Sequence, residues 1–351
     1  MKKIIIEAHV PFLKGVFEPY CDAVDYLSAA DITPEKVRDT DALIVRTRTK
    51  CNANLLDGSN CRFIGTATIG TDHIDFDYCK SHGIEVASAP GCNAPAVEQY
   101  VMSVIGNWLA DKVAEEVPEN LTVGVIGVGH VGELVAKSAE NMGFKVLRCD
   151  PPRSRMENNT DDFVPLDKIL SDSDIITVHT PLIRQGEDAT YHLIDNDFIL
   201  KAKRCKLLIN AARGEIADNN ALINAPAALY LAIDCWEGEP NLNRALLERA
   251  YIATPHIAGY SMEGKLRGSL MMIDAVARHF SLDIDLHKLP QFKSLIKAGG
   301  SIDMGKYTLK DMKKVMDSYN PKADTEALKS HPELFESLRN NYNLRHEPAY
   351  V

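Results

Sequence analysis

Short apolar runs at 4–6, 42–45, 63–66 and 84–87 alternate with helix-like stretches up to Pro90. Runs this short predict the strands of a parallel α/β sheet, buried on both faces where no polar residue interrupts them. Asn93 followed by Ala94 and Pro95 offers a cap and a proline tolerated in a first turn, which predicts a long helix continuing through 97–114. The alternation then resumes, with strands predicted at 123–126, 146–149, 175–179, 207–210, 229–233 and 251–253. Six strands separated by helical stretches satisfy a doubly wound sheet. A further helix is predicted over 262–280. From Leu289 onward charge and proline increase and strand patterning is lost, which predicts a small helical appendage with helices over 309–316 and 333–340.

Gly127-x-Gly129-x-x-Gly132 falls directly after the strand at 123–126 and opens the helical stretch at 133–139. In that position the motif fits dinucleotide binding. Gly127 makes the turn, Gly129 lets a pyrophosphate approach the backbone, Gly132 packs helix on strand, and the amides around His130 and Val131 face the phosphates. A glycine turn in an α/β protein that binds no dinucleotide would share the motif but not the whole context. Asp150 closes the next strand, where a carboxylate accepts ribose hydroxyls and repels a 2′-phosphate, so NAD is expected rather than NADP. Arg148 and Arg153 lie close by and work against that preference.

Arg213, Glu239 and His256 follow the three last predicted strands, the edge at which open α/β sheets bind ligands. Oxidising a 2-hydroxy acid requires a base for the hydroxyl proton, a hydride acceptor and a cation for the carboxylate. His256 suits the base, Glu239 its orientation and the stabilisation of its imidazolium, and Arg213 the carboxylate or carbonyl oxygen. Each alone reads equally well as an ordinary loop residue; together, downstream of the glycine motif, they read as a catalytic set. Arg46, Arg48 and Lys50 alternate after the strand at 42–45, so an extended chain would project them to one side, where Arg46 above all would hold a phosphate.

Composition narrows the field. With 39 basic and 49 acidic residues the net charge is -10, which leaves no basic footprint for nucleic acid or an anionic membrane. An anionic substrate then needs a local cluster of cations. Cys21, Cys51, Cys61, Cys79, Cys92, Cys149, Cys205 and Cys235 are scattered singly, without metal-ligand spacing, so free thiols and no metal site are expected. Glu7 and His9 break the first apolar run too early for a signal peptide, and a cytoplasmic protein is expected.

Three blocks resemble the D-2-hydroxyacid dehydrogenase family: Ile209-Asn210-Ala211-Ala212-Arg213-Gly214, Asp234-Cys235-Trp236-Glu237-Gly238-Glu239-Pro240 and Thr254-Pro255-His256-Ile257-Ala258-Gly259. The resemblance implies the same roles for Arg213, Glu239 and His256. It also implies that Thr180, Ala211, Ala212, Arg213, Asp234 and Gly259 lie around the nicotinamide half of NAD. Gly65-Thr66-Ala67-Thr68-Ile69-Gly70-Thr71-Asp72-His73, Ala89-Pro90-Gly91-Cys92-Asn93-Ala94, Cys149-Asp150-Pro151-Pro152-Arg153, His256-Ile257-Ala258-Gly259-Tyr260 and the stretch 335–345 are similar to the branch of that family that oxidises erythronate 4-phosphate. That likeness places substrate contacts on Thr47, where many members have serine, and on Thr68 and Tyr260.

The architecture it implies has two Rossmann-like α/β domains: a split substrate domain (1–92 and 259–285) and an NAD-binding domain (93–258). A C-terminal dimerisation domain (286–351) completes a homodimer. The implied activity is NAD-dependent oxidation of 4-phospho-D-erythronate to (R)-3-hydroxy-2-oxo-4-phosphooxybutanoate in pyridoxal 5′-phosphate biosynthesis. Another D-2-hydroxyacid dehydrogenase, such as one acting on 3-phosphoglycerate, or an NAD(H)-sensing corepressor of the same fold, are the alternatives.

Overall fold

The computed structural model describes residues 2–111, 117–158, 161–292 and 312–348. It divides into two compact units, Met1–Asn93 with Met262–Ile302 and Ala94–Ser261 with Asp303–Val351. Each unit is built on one parallel sheet.

The first sheet contains β1 (Lys3–Glu7), β2 (Ala23–Leu27), β3 (Ala42–Val45), β4 (Phe63–Thr66) and β5 (Glu85–Ala87), in the order β2-β1-β3-β4-β5. Every pairing is parallel. Ile4, Ile5, Ile6, Leu43, Ile44 and Ile64 are fully buried, which is why these strands read as continuous apolar runs. The strand order reverses between β1 and β3, so their carboxyl ends, at Glu7 and Arg46, flank a crevice position. The sequence reading did not anticipate β2. It is an edge strand of sequence Ala-Val-Asp-Tyr-Leu, half-buried throughout except at an exposed Asp25, and carries no apolar run to betray it. The helix Met262–Phe280 returns to this unit, held by Arg267 Nε donating to the Cys92 carbonyl at 2.8 Å and Ser269 Oγ to the Pro11 carbonyl at 2.7 Å.

The second sheet contains β6 (Thr122–Ile126), β7 (Lys145–Cys149), β8 (Ile175–Val178), β9 (Leu207–Asn210), β10 (Tyr230–Ile233) and β11 (Ile252–Ala253), in the order β11-β10-β9-β8-β6-β7. All of its pairings are parallel too. Successive side chains go to opposite faces. Val123, Val125, Ile175, Leu207, Ile209 and Ala232 join one core cluster, while Ile126, Ile176, Leu208, Leu231 and Ile233 join the other. The first cluster is closed by the helices Ala94–Asp111 and His130–Asn141. Ala94–Asp111 is buried at every position from Ala94 to Trp108, the polar Glu98, Gln99, Ser103 and Asn107 included. The part predicted beyond it, at 112–114, lies outside the described residues.

Of the C-terminal segment, Asp303–Val351 joins this second unit, and the part up to Ile302 belongs to the first. The described helices of the segment are Met312–Ser318, Pro321–Ser330 and Phe335–Asn340. The middle one was not anticipated, although Asn320 followed by Pro321 is a start signal: the Asn320 side chain accepts from Lys322 N at 3.1 Å. Thr325 Oγ1 accepts from Ala253 N at 3.0 Å, covering the edge of β11. Val315 is fully buried in the first core cluster of its own unit and Met316 packs against it. Gln99 Nε2 also donates to Ser318 Oγ at 2.9 Å. Leu309, where the first predicted helix of the tail begins, lies outside the described residues.

Helix His130–Asn141 presses close to the glycine turn. A Cβ at Gly132 would stand 2.0 Å from the Gly127 carbonyl oxygen, whereas one at Gly129 meets nothing within 4 Å. Gly132→Ala is therefore expected to lose about 1–3 kcal/mol of stability by overpacking, and Gly129→Ala to stay near wild type. Urea unfolding of the two variants side by side measures this; equal stabilities would mean that helix and turn are not packed so closely.

Candidate active site

β6 runs into Gly127, whose φ of +83° belongs to the left-handed region that glycine adopts without strain. Gly127 N donates to the Cys149 carbonyl at 2.8 Å, and Val128 N to Asp150 Oδ2 at 2.8 Å, so the turn is fastened to the end of β7. Helix His130–Asn141 starts at Gly129 without a side-chain cap. Its first-turn amides, His130 and Val131 included, have no acceptor within the helix and point outward with the positive end of its dipole.

Asp150 also accepts from Arg153 N at 3.0 Å, which fixes its carboxylate while leaving lone pairs for further donors. The two arginines that weighed against NAD are engaged elsewhere. Arg148 makes a two-pronged contact with Glu140 at 2.7 and 2.8 Å. Arg153 reaches Glu133 at 3.0 Å, Glu157 at 2.7 Å and the Val128 carbonyl at 2.6 Å. With both cations matched by carboxylates, the Asp150 charge stands against a 2′-phosphate.

Thr180 follows β8 across the switch point, and its Oγ1 is buried without a hydrogen-bond partner, an orphan that a ligand can satisfy. At the end of β9, Asn210 Oδ1 accepts from Ala212 N at 3.2 Å and Nδ2 donates to the Arg213 carbonyl at 2.9 Å, folding Ala211, Ala212 and Arg213 into a turn. Free helix amides, an open side at Gly129, a fixed acid and an orphaned hydroxyl together fit an adenine dinucleotide.

β10 leads into Asp234 and the loop that carries Glu239, and β11 leads into His256. His256 Nδ1 and Glu239 Oε1 are 2.7 Å apart, and both side chains are about three-quarters buried, with 27% and 24% exposed. Burial pushes the Glu239 carboxyl up. The His256 hydrogen bond, the charges of His256 and Arg339 and the Trp236 N–H outweigh it and hold the group below the ordinary glutamate range. An ionised Glu239 can only accept, so Nδ1 donates and the ring presents Nε2 as the proton acceptor.

His256 has φ +58°, a conformation a branchless glycine would take more easily. Asp234, 1% exposed, holds it there: its carboxylate accepts from Thr254 Oγ1 at 2.6 Å, Ile257 N at 2.8 Å and Ala258 N at 3.0 Å. Gly259 and Tyr260 follow directly, and Tyr260 N returns to the Ile257 carbonyl at 2.9 Å. Arg213, Glu239 and His256 thus come from the ends of three adjacent strands, β9, β10 and β11.

Arg46, Thr47 and Thr68 lie in the first unit, beyond β3 and β4. Thr68 Oγ1 is 2.8 Å from Thr66 Oγ1 and donates to the Gly70 carbonyl at 3.1 Å. The expectation that Arg46, Arg48 and Lys50 share one side of an extended chain is corrected. Residues 47–49 form a turn, because Glu7 Oε2 accepts both Arg46 N at 2.8 Å and Thr49 Oγ1 at 3.2 Å and curls the chain. Arg46 is half-buried with Nη1 3.3 Å from the His9 carbonyl, while Thr47, Arg48 and Lys50 are exposed. The sequence reading missed Arg339, whose Nη1 is 3.7 Å from Glu239 Oε1, and Arg345, buried against the His256 turn. Both sit in a charge-rich stretch where no spacing sets them apart.

A doubly wound parallel sheet with this glycine turn and a histidine–carboxylate pair at its carboxyl edge defines a dinucleotide-dependent dehydrogenase. Residues 93–258 match the model of the D-isomer specific 2-hydroxyacid dehydrogenase, NAD binding domain. A relative from Bacteroides thetaiotaomicron, named erythronate-4-phosphate dehydrogenase, is 46% identical over 98% of this chain and 97% of its own. One of the same name from Escherichia coli is 39% identical over 98% of this chain and 92% of its own. Among solved structures, D-lactate dehydrogenase from Aquifex aeolicus complexed with NAD and lactic acid superposes with a TM-score of 0.64 at 25% identity, covering 84% of this chain and 98% of that one. NAD-bound 3-phosphoglycerate dehydrogenase from Entamoeba histolytica has the same fold, with a TM-score of 0.65 at 23% identity, covering 81% of this chain and 98% of that one. The chain belongs to the D-isomer-specific 2-hydroxyacid dehydrogenase family, and its cofactor is NAD.

Asp150→Ala removes the fixed acid from the end of β7. The variant is expected to bind NAD at least tenfold more weakly, as loss of a charged hydrogen-bond acceptor worth about 1.5–3 kcal/mol implies, and to discriminate less against NADP. Titration calorimetry with both dinucleotides checks it; an unchanged preference would reduce Asp150 to a cap of the helix Pro151–Glu157.

Proposed function

We propose that the chain oxidises 4-phospho-D-erythronate to (R)-3-hydroxy-2-oxo-4-phosphooxybutanoate with NAD, as a step of pyridoxal 5′-phosphate biosynthesis. The reaction type rests on one observation, the 2.7 Å contact of His256 Nδ1 with an ionised Glu239 at the carboxyl edge of the sheet that also carries the glycine turn. The substrate rests on full-length likeness to relatives that carry that activity in their names.

NAD, when bound, supplies the acceptor for the hydride that leaves C2. His256 Nε2 takes the proton of the C2 hydroxyl as the C–O bond becomes a carbonyl, and Glu239 stabilises the imidazolium that results. Arg213 holds the substrate carboxylate and the developing carbonyl with its planar fork. Gly127, Gly129, His130, Val131, Gly132 and Asp150 serve the adenosine and pyrophosphate. Thr180, Ala211, Ala212, Asp234 and Gly259 serve the nicotinamide half. Thr47, Thr68 and Tyr260 contact the substrate, and Arg46 meets its phosphate. The assembled form is a homodimer in the cytoplasm, the arrangement of the resembling branch and the commonest closed symmetry; sedimentation at twice the chain mass is its readout.

NADH formation on 4-phosphoerythronate, 3-phosphoglycerate and D-lactate tests the reading directly. A kcat/KM highest for phosphoerythronate is expected, and preference for another acid would overturn the substrate. His256→Asn is expected to lower kcat by about 10²–10⁴-fold with NAD affinity nearly intact. Glu239→Gln should cost less and move the acid limb of the kcat/KM profile to lower pH, since the imidazolium loses its anionic partner and the ring gives up its proton more readily. An acid limb that stays in place would argue against a working pair.

A further inference from the structure

Glu239 has a second charged neighbour besides His256. Oε1, the oxygen that faces the imidazole, is 3.7 Å from Arg339 Nη1, and Oε2 accepts from Trp236 N at 3.2 Å. The Arg339 side chain is only 11% exposed and is hydrogen-bonded to Tyr260, while its Nε is buried with no hydrogen-bond partner. A guanidinium taken this far out of water is expensive unless a nearby anion offsets it. Glu239 is that anion.

Arg339 is not placed there loosely. It stands on helix Phe335–Asn340, and six residues later Arg345 enters the turn that carries His256. The Arg345 guanidinium donates to the carbonyls of Ile257 at 3.0 Å, Ala258, and Ala96 at 3.1 Å, and to Gln99 Oε1 at 2.9 Å. Its plane lies 4.2 Å from the centre of the Tyr319 ring, and Ser261 Oγ donates to Glu347 Oε1 at 2.6 Å just beyond. Two arginines of the tail therefore reach the surroundings of the pair, Arg345 through the backbone of the residues that follow His256 and Arg339 through the charge of Glu239.

We propose that Arg339 is a positioning residue for the Glu239–His256 pair, so that the C-terminal segment sets the pH range in which His256 works as a base. This rests on the reading of His256 as the base but not on the identity of the hydroxy acid. The cation shares Oε1 with the imidazole and opposes the imidazolium formed on proton transfer, so it keeps the ring available as a proton acceptor at lower pH. Further charged or titratable groups of this neighbourhood are Arg213 and Asp234, which act on Cys235 as Glu239 does, and Tyr260, which is bonded to Arg339; none of them is altered by replacing Arg339. Cys235 stays a neutral thiol because burial pushes it well above its ordinary range.

The test compares full-length wild type, Arg339→Gln and Arg339→Lys. In Arg339→Gln the acid limb of kcat/KM for oxidation is expected to move up by about one pH unit, the order of effect of one charge in the neighbourhood of the pair. Arg339→Lys should restore most of the wild-type position, and the NAD dissociation constant should not change. A uniform loss of activity with an unmoved limb, or a lysine variant no better than glutamine, would overturn the proposal and leave Arg339 as a structural counter-ion. Arg339→Met, which keeps the aliphatic stem, replaces Arg339→Gln if the latter shows no cooperative melt. NMR titration of the His256 ring in the NAD complex reads the same displacement without turnover. An unmoved midpoint defeats this inference even in an enzyme that oxidises phosphoerythronate; a raised midpoint sustains it whatever hydroxy acid proves to be the substrate.

Discussion

The buried carboxylate of Asp234 is the interaction on which the site turns. At 1% exposure it has exchanged water for three donors, Thr254 Oγ1, Ile257 N and Ala258 N, all from the turn after β11. A charge in that position is tolerable only with such compensation. The compensation has a structural product, because it forces the chain around His256 at φ +58° and aims the ring back over the end of β10. Tyr100 extends the clamp to the central helix Ala94–Asp111, its hydroxyl 2.9 Å from Thr254 Oγ1. Backbone strain at a functional histidine is thus held by buried hydrogen bonds on a neighbouring strand, which is how such strain persists.

Around that clamp the charges are balanced in pairs. Asp150 is fixed by two backbone amides, and the arginines next to it are matched by Glu133, Glu140 and Glu157. Glu239 is kept ionised by His256 and Arg339 against the pull of burial. In each case the side chain with a part in the proposed reaction is held by neighbours that balance its charge or satisfy its oxygens.

The described part of the tail is built into the core of the second unit. Leu328 and Phe335 are buried in one core cluster and Val315 and Tyr319 in the other, so the segment closes both faces of the second sheet. Glu347 of the tail accepts from Ser261 Oγ; burial, and after it the charge of Glu347, pushes the carboxyl of Glu98, on the central helix and bonded to Ser138, well above the ordinary range.

Local patterning determined a great deal of this molecule. Continuous apolar runs marked every strand buried on both faces, since two-sided burial leaves no polar positions, and the half-exposed edge strand Ala23–Leu27 escaped for the same reason. Gly127, Gly129 and Gly132 announced their turn because its conformation and close packing admit little else, and Arg213, Glu239 and His256 were legible because each follows a strand end. Tertiary structure alone decided the rest. Glu7 gathers the residues after β3 into a turn and undoes the alternation of Arg46, Arg48 and Lys50, a contact across 39 residues that no local pattern encodes. Arg339 reaches Glu239 across a hundred residues, and Arg345 reaches Ala96 from 249 residues away. Periodicity reports which side of an element is buried; which distant charge is buried against it is settled only when the chain has folded.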